Sequence, residues 1–148
     1  MSGSSPLERL AEIVLADCLA KPGAYLDHPF GPDVTTARVR APSQAKGPIF
    51  LMLIEVRGVL KASFRCEPEA GLFWRERYPG LVVRGYHCPP VQQPYSNTVV
   101  LDGRVPEPVL LEMADDSWEF VVAKLPGWAR RELLGPEAPS SSVIGDLS

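Results

Sequence analysis

The sequence has no run of 18 or more apolar residues, so no segment of the chain is predicted to span a membrane. Its first residues lack both a basic stretch and a long apolar core, so we do not expect them to form a signal peptide. The three cysteines are odd in number and include no CxxC pair, which favours reduced thiols over a disulfide framework. We therefore expect a cytoplasmic protein.

The motifs of the common enzyme and cofactor classes are also missing. There is no nucleophile elbow of the form GxSxG, and Gly80 and Gly85 match no nucleotide-binding loop. The chain has only two histidines and no short pair of zinc ligands. We predict a non-enzymatic protein with no cofactor and no metal.

Two chemical alternatives nevertheless stay open from the sequence. His28, His87, Cys88 and Cys66 can be imagined as metal ligands, and Cys66 or Cys88 can be combined with His87 and Asp102 as a nucleophile, a base and an orienting acid. Against both, cysteines often serve as small core residues. His28 is expected to hydrogen-bond within its own proline-rich loop.

An overall excess of positive charge is absent as well. The net charge is −3 and the isoelectric point about 5.4, which is unlike a strongly basic nucleic-acid-binding protein. The charge is uneven, however: residues 1–56 carry a net −1, residues 57–104 a net +3, and residues 105–148 a net −5. The middle third is thus the only candidate for a cationic surface.

What the chain does have is the length and apolar content of one globular domain. With 148 residues and 45% hydrophobic side chains, it can bury a substantial core. We predict one α+β domain over residues 1–134. Residues 135–148 are rich in proline, serine and glycine, and we predict a disordered tail there.

The pattern predicts an antiparallel sheet of about five strands, with helix 1 and the C-terminal helices packed on it. Ser5 and Glu8 form a capping box before a helix expected over residues 6–20. Residues 21–34 are interpreted as a loop. Strands are predicted at 35–40, 48–56, 59–66, 81–83 and 96–102, with a tight connection at Arg57-Gly58 and with Lys61 and Arg65 on the polar face of the strand at 59–66. Further helices are predicted at 67–78, with Phe73 on the inner stripe, at 106–113, after a cap at residues 115–117, and at 128–134.

Several motifs resemble, in order and spacing, those of the MmcQ/YjbR family. They lie at residues 18–24, 27–33, 65–69, 85–87, 97–99, 101–106 and 116–118, so the resemblance covers roughly residues 6–130. It implies a compact α+β fold with an antiparallel sheet. Members of this family are described as DNA-binding because their fold is likened to a winged transcription-factor domain, which is an argument by fold analogy.

The chain also departs from the pattern that the resemblance implies. Ser96 stands directly before the Asn-Thr-Val motif, where relatives tend to have tryptophan. Arg65 stands where relatives often have lysine, which keeps the charge but changes the hydrogen-bonding geometry.

The cationic middle third and the family resemblance together predict a small nucleic-acid-binding protein, with DNA or RNA as its partner. Lysine and arginine would contact phosphates, an asparagine can contact a base edge, and Tyr86 and Tyr95 can stack on bases. The predicted contacts are Lys61, Arg65, Arg84, His87 and Asn97. Two alternatives remain: these are ordinary solvated charges, or an exposed sheet face or edge makes the chain a protein-interaction or self-associating module.

Overall fold

The structure is a computed structural model that describes residues 5–85 and 89–135. Its strands are β1 (Ala24–Asp27), β2 (Val34–Val39), β3 (Ile49–Val56), β4 (Val59–Arg65), β5 (Val82–Arg84) and β6 (Ser96–Val100). Its helices are α1 (Pro6–Leu19), α2 (Pro68–Arg77), α3 (Glu107–Ala123) and α4 (Gly127–Leu134), with a 3₁₀ helix at Pro90–Tyr95. His87, its two neighbours and the predicted tail beyond Gly135 lie outside the described residues.

The six strands form one sheet in the order β1-β2-β3-β4-β6-β5, and every neighbouring pair is antiparallel. This confirms the predicted α+β class with an antiparallel sheet. The hairpin between β3 and β4 turns through Arg57 and Gly58, whose φ angles are 53° and 79°. Two consecutive positive φ angles define the turn type whose twist matches that of the flanking strands.

Helix α1 begins where its capping chemistry predicts. The Ser5 hydroxyl accepts a hydrogen bond from the Glu8 backbone N–H at 3.1 Å, and the Glu8 carboxylate accepts one from the Ser5 N–H at 2.8 Å. This reciprocal pair satisfies two of the N–H groups that a helix start leaves unbonded. Within the described part of the chain, no helix is both long and apolar enough to cross a membrane.

The core lies between one face of the sheet and the helices α1 and α3. Alternate strand residues point into it, because successive side chains of a strand lie on opposite faces. Ala62 and Phe64 of β4 lie on this face, opposite Leu53 and Leu51 of β3. The buried helix side chains that meet them include Val14 and Cys18 of α1 and Leu110, Ala114 and Val121 of α3.

The other side of the sheet, which we term the open face, carries the intervening side chains. Its centre is made of Met52 and Ile54 of β3 and of Lys61, Ser63 and Arg65 of β4, all of them partly exposed. The polar face predicted for this strand is therefore where the sequence pattern placed it. Helices α1 and α3 pack on the opposite face, and at the end of β4 the Arg65 guanidinium also reaches the Phe120 ring of α3.

Three sequence interpretations need correction. Strand β1 lies inside residues 21–34, which were expected to be a loop; with four residues and one exposed edge it gives little periodic signal. The two helices predicted around residues 106–125 are one helix, α3, so Asp115–Ser117 is helix interior. Phe73, assigned to the inner stripe of α2, is 55% exposed.

Ser117 explains why a residue typical of a helix start lies in the middle of α3. Its hydroxyl is fully buried, donates to the Phe50 carbonyl, and accepts from the Arg65 backbone N–H at 2.7 Å. One side chain of α3 thereby satisfies a backbone acceptor on β3 and a backbone donor on β4. Buried backbone groups need such partners, so the position is fixed by tertiary structure rather than by helix capping.

We expect Ser117→Ala to lower the free energy of unfolding by about 1–3 kcal/mol, because it leaves a buried N–H and a buried carbonyl without their partner. The measurement is urea unfolding, with a lower midpoint at an unchanged slope. Ser43→Ala is the matched control: its hydroxyl bonds Glu132 at the surface, and a change within about 0.5 kcal/mol is expected. Equal effects of the two variants would contradict the bridging role of Ser117.

Candidate functional site

Lys61 and Arg65 lie on the open face, four residues apart on β4. Their register partners on β6, Val100 and Ser96, lie on the same side. At about 3.3 Å per residue, the two Cα atoms are roughly 13 Å apart along the strand. The two predicted contacts on this strand therefore share one side of the sheet.

Arg84 lies on the opposite side of the sheet. It pairs with Asn97, whereas Arg65 pairs with Ser96, and adjacent residues of β6 point to opposite faces. Strand β6 also separates β5 from β4, so the two strands do not pair with each other. The expectation that Arg84 shares a surface with Lys61 and Arg65 is therefore wrong.

Asn97 is buried, at 3% exposure, and its side chain ties α2 to the sheet. Its amide nitrogen donates to the Gly71 carbonyl at 3.1 Å, and its amide oxygen accepts from Arg75 Nη1 at 2.7 Å. A nucleic-acid base would have to replace these two hydrogen bonds before its edge could bond the Asn97 amide. The Asn97 side chain thus has a structural role between α2 and β6. His87 lies outside the described residues.

A cleft of about 190 Å³ opens on the open face beside Arg65. Ile49, Phe50 and Met52 give it apolar walls, and Ser63 and Ser96 add hydroxyl groups. Phe30, which is 62% exposed, stands at its rim. The remaining lining residues are Arg65, Pro89 and Gln92.

Local irregularities of the chain shape this cleft. Ala37 pairs with Leu51 but Arg38 with Ile49, so Phe50 is an extra residue in β3 that opposes no residue of β2. Such bulges redirect side chains and occur near functional sites. At the floor, the Ser63 and Thr98 hydroxyls are hydrogen-bonded to each other at 3.0 Å, which leaves a mixed apolar and hydroxyl-bearing surface.

Arg65 is held in place at the rim of the cleft. Its backbone N–H bonds Ser117, its Nε donates to the Tyr95 carbonyl at 3.3 Å, and its guanidinium lies 5.3 Å from the centre of the Phe120 ring. Guanidinium groups stack favourably on aromatic faces. A charge that is already positioned loses less side-chain entropy when a ligand binds.

Charge is divided between the two sides of the molecule. By register, the charged strand residues on the open face are Lys61, Arg65 and the ion pair of Arg38 with Asp27, in which Arg38 Nε lies 2.6 Å from the carboxylate. On the helical side, α1 carries a net −2 and α3 a net −5. Burial and the neighbouring acids Glu112, Glu119 and Asp115 raise the pKa of the Asp116 carboxyl. The open face is thus the cationic side of an acidic protein.

The nucleophile alternative does not fit the described residues. Burial raises the pKa of the Cys66 thiol to about 11 and that of the Cys18 thiol to about 12, so both are protonated at neutral pH. The Cys66 backbone N–H donates to the Tyr95 carbonyl at one end of β6, whereas Asp102 follows the other end of that strand. Cys66 and Asp102 are therefore on the order of 20 Å apart. Asp102 instead pairs with Arg104 at 2.5 Å, and that hydrogen bond lowers the pKa of the Asp102 carboxyl.

His28 has the local role expected for it. Its Nδ1 lies 3.2 Å from the Val34 carbonyl, across the loop that joins β1 to β2. Among residues 5–85 and 89–135, no three histidine, cysteine or acidic side chains cluster in a way that would hold a metal ion.

Sequence reasoning missed two residues of this region. Phe30 lies in a segment of glycines and prolines and belongs to no periodic pattern, so nothing marked it as the rim of a cleft. Lys124 lies in the acidic last third of the chain, yet its ammonium is 4.8 Å from the centre of the same Phe120 ring that Arg65 contacts. Only the tertiary structure brings it next to the cationic middle third.

Comparison with known proteins places the chain among its relatives. The YjbR family model matches residues 19–120, which is more than half of the chain. The chain is 28% identical over 114 residues to the uncharacterized protein YbdF of Escherichia coli O157:H7, a match that covers 77% of this chain and 83% of that protein. The chain belongs to the YjbR family.

Two crystal structures share its fold. The protein DR2400 of Deinococcus radiodurans, described by the domain family DUF419, superposes with a TM-score of 0.74 at 24% identity, over 88% of this chain and 92% of that one. A protein from Pseudomonas syringae superposes with a TM-score of 0.58 at 17% identity, over 74% of this chain and 97% of that one. At these identities the likeness concerns the fold alone.

The buried tie at Asn97 makes a prediction about stability. We expect Asn97→Ala to lower the free energy of unfolding by about 1–3 kcal/mol, because the Gly71 carbonyl and Arg75 lose their partner. In urea unfolding, the effects of Asn97→Ala and Arg75→Ala should be non-additive by about 0.5 kcal/mol or more. Arg77→Ala, on the same helix but exposed, should be additive with Asn97→Ala. An unchanged free energy of unfolding in Asn97→Ala would contradict a stabilising role for these two hydrogen bonds.

The buried thiols make a prediction about reactivity. In a Cys88→Ser variant, Cys18 and Cys66 should react with iodoacetamide very slowly at pH 8, because the thiolate is the reactive form and both pKa values are raised. The rate should rise as the pH approaches 11. In urea at pH 8 both thiols should be alkylated promptly, as mass spectrometry would show. Rapid labelling of folded Cys66 at pH 8 would contradict this environment.

Proposed function

We propose that this YjbR-family chain is a non-enzymatic protein of the cytoplasm that binds single-stranded nucleic acid on its open face. Lys61 and Arg65 contact backbone phosphates, and the cleft beside Arg65 receives one unstacked base. Phe30 stacks on that base. Of the contacts expected from the sequence, this proposal keeps Lys61 and Arg65 and replaces Arg84 and Asn97 by the cleft.

The observation that carries the proposal is the position of an apolar cleft next to a fixed arginine on the cationic side of the molecule. Proteins that bind single strands combine cations that follow the backbone with aromatic side chains on which bases stack. Both elements line one cleft on the open face, where Arg65 comes from β4 and Phe30 from the loop between β1 and β2. Its hydroxyl groups, on Ser63 and Ser96, supply hydrogen-bonding partners for a base edge.

The dimensions favour one base over a larger ligand. A cleft of about 190 Å³ is smaller than the roughly 300–1,000 Å³ of sites that enclose whole cofactors. Duplex DNA is disfavoured because Lys61 and Arg65 alone neutralise few phosphates, while the helical side is acidic. An unpaired base can compensate, since stacking on an aromatic side chain contributes about 1–3 kcal/mol.

The test is fluorescence anisotropy with short single-stranded DNA and RNA at several salt concentrations. We expect binding at low salt, weaker binding to a duplex, and a fall in affinity as salt increases. Lys61→Ala and Arg65→Ala should each weaken binding and reduce the slope of log K against log salt by about 0.7, because each removes one phosphate contact. Phe30→Ala should weaken binding with little change in that slope.

The controls follow from the geometry. Arg84→Ala removes the same charge as Arg65→Ala but from the other side of the sheet, and it should leave the affinity unchanged. Phe73→Ala removes a similarly exposed phenylalanine from α2 and should also have no effect. Equal losses in Arg84→Ala and Arg65→Ala, or no binding to either nucleic acid at low salt, would overturn the proposal. A molecular size that grows with protein concentration in that case would favour the self-association alternative.

A further inference from the structure

A second cavity lies on the other side of Arg65, where α3 ends. It measures about 230 Å³ and is bounded by Pro48, Arg65, Phe120, Lys124 and Pro126, among others. Arg65 lines both this cavity and the cleft on the open face. The arginine is therefore the wall between two adjoining concavities.

Two cations meet at one aromatic ring in this cavity. The Arg65 guanidinium carbon is 5.3 Å and the Lys124 ammonium 4.8 Å from the centre of the Phe120 ring, and both side chains line the same space. The ring attracts each cation, but it does not remove their mutual repulsion. An anion in contact with both Arg65 and Lys124 would offset that repulsion, and it would accept hydrogen bonds from both side chains.

Neither cation is neutralised by the described part of the protein. No carboxylate of residues 5–85 or 89–135 forms a salt bridge with Arg65 or Lys124. Asp116 lies one turn before Phe120, yet the pKa of its carboxyl is raised by burial and by other acids, whereas a close cation would lower it.

Lys124 is also not needed to cap α3. Arg130 Nη1 donates to the carbonyl of Ala123, the last residue of α3, at 3.1 Å and to the carbonyl of Leu125 just beyond the helix at 2.5 Å, so this helix end already has a cationic partner. A lysine at the end of a helix is ordinarily explained by this capping. Here that role is filled by another residue, and the ammonium lies against Phe120 instead.

We propose that the cavity between Arg65, Lys124 and Phe120 binds a phosphate monoester, namely the terminal phosphate of the strand whose base occupies the cleft. The identity of the strand rests on the proposed function; the phosphate site itself does not. Arginine offers a planar pair of donors and lysine a point charge, a combination that suits a phosphate group. Two converging cations favour a monoester, which carries close to two negative charges at neutral pH, over a backbone diester with one.

The experiment compares one short single-stranded oligonucleotide in three forms: with a 5′-phosphate, with a 3′-phosphate, and with neither. We expect one phosphorylated form to bind at least about tenfold more tightly than the unphosphorylated one. Lys124→Gln should reduce that ratio to near one. Arg77→Gln is the matched control, because it also removes a cation stacked on an aromatic ring, that of Tyr78, and it should keep the ratio.

Inorganic phosphate alone, titrated by calorimetry, separates the two proposals. Binding of inorganic phosphate that Lys124→Gln abolishes, with no binding of any oligonucleotide, would support the phosphate site and end the nucleic-acid proposal. Equal affinities of the three oligonucleotides, with no binding of inorganic phosphate, would overturn the phosphate site and leave the nucleic-acid proposal standing. A ratio that survives in Lys124→Gln would also overturn the site, because the preference would then arise elsewhere.

Discussion

The antiparallel register of β4 with its two neighbours is the constraint on which the rest of this molecule depends. It sends Ala62 and Phe64 into the core and leaves Lys61, Ser63 and Arg65 on the open face. A shift by one residue would bury two cations and expose the core side chains, at a cost that no local interaction offsets. The Ser117 hydroxyl reinforces this register, because it bonds the Phe50 carbonyl and the Arg65 N–H and so connects α3 to both strands. The candidate site is a by-product of that arrangement: the residues that the core excludes are the residues available for binding.

The division of charge follows from the same architecture. With a single helical layer, the acidic side chains of α3 lie on the outer side of the layer that covers the core, away from the open face. A chain with a net charge of −3 can therefore present a cationic surface, provided that the acids stay on the helices. Arg38 does not add to this cationic surface, because Asp27 on the adjacent edge strand β1 neutralises its charge within the sheet. Arg65, in the central strand β4, forms no salt bridge within the described part of the chain.

Sequence patterns predicted the parts of this fold that depend on local chemistry. The capping box of α1, the alternation in β4 and the tight turn at Arg57 were all evident, because each is encoded within a few residues. Strand β1 and the continuity of α3 were missed for the opposite reason: a four-residue edge strand has almost no period, and Asp115–Ser117 has the composition of a cap while serving a tertiary contact. For the site, the sequence could place Lys61 and Arg65 on one face. It could not reveal that β6 intervenes between β4 and β5, which is what separates Arg84 from them.

The small number of cations restricts what the open face can bind. Non-specific affinity for a polyanion increases with the number of phosphates neutralised, so a surface with two or three cations cannot hold a duplex tightly at physiological salt. Selectivity among nucleic-acid ligands must then come from contacts whose number does not grow with the length of the strand, such as one base in a cleft or one phosphate with an additional charge. Arg65 adjoins both cavities, and it is fixed by Ser117, Tyr95 and Phe120 before any ligand arrives. A single pre-positioned arginine between an apolar cleft and a second cation is an arrangement suited to recognising the end of a strand, where a base and a terminal phosphate occur together.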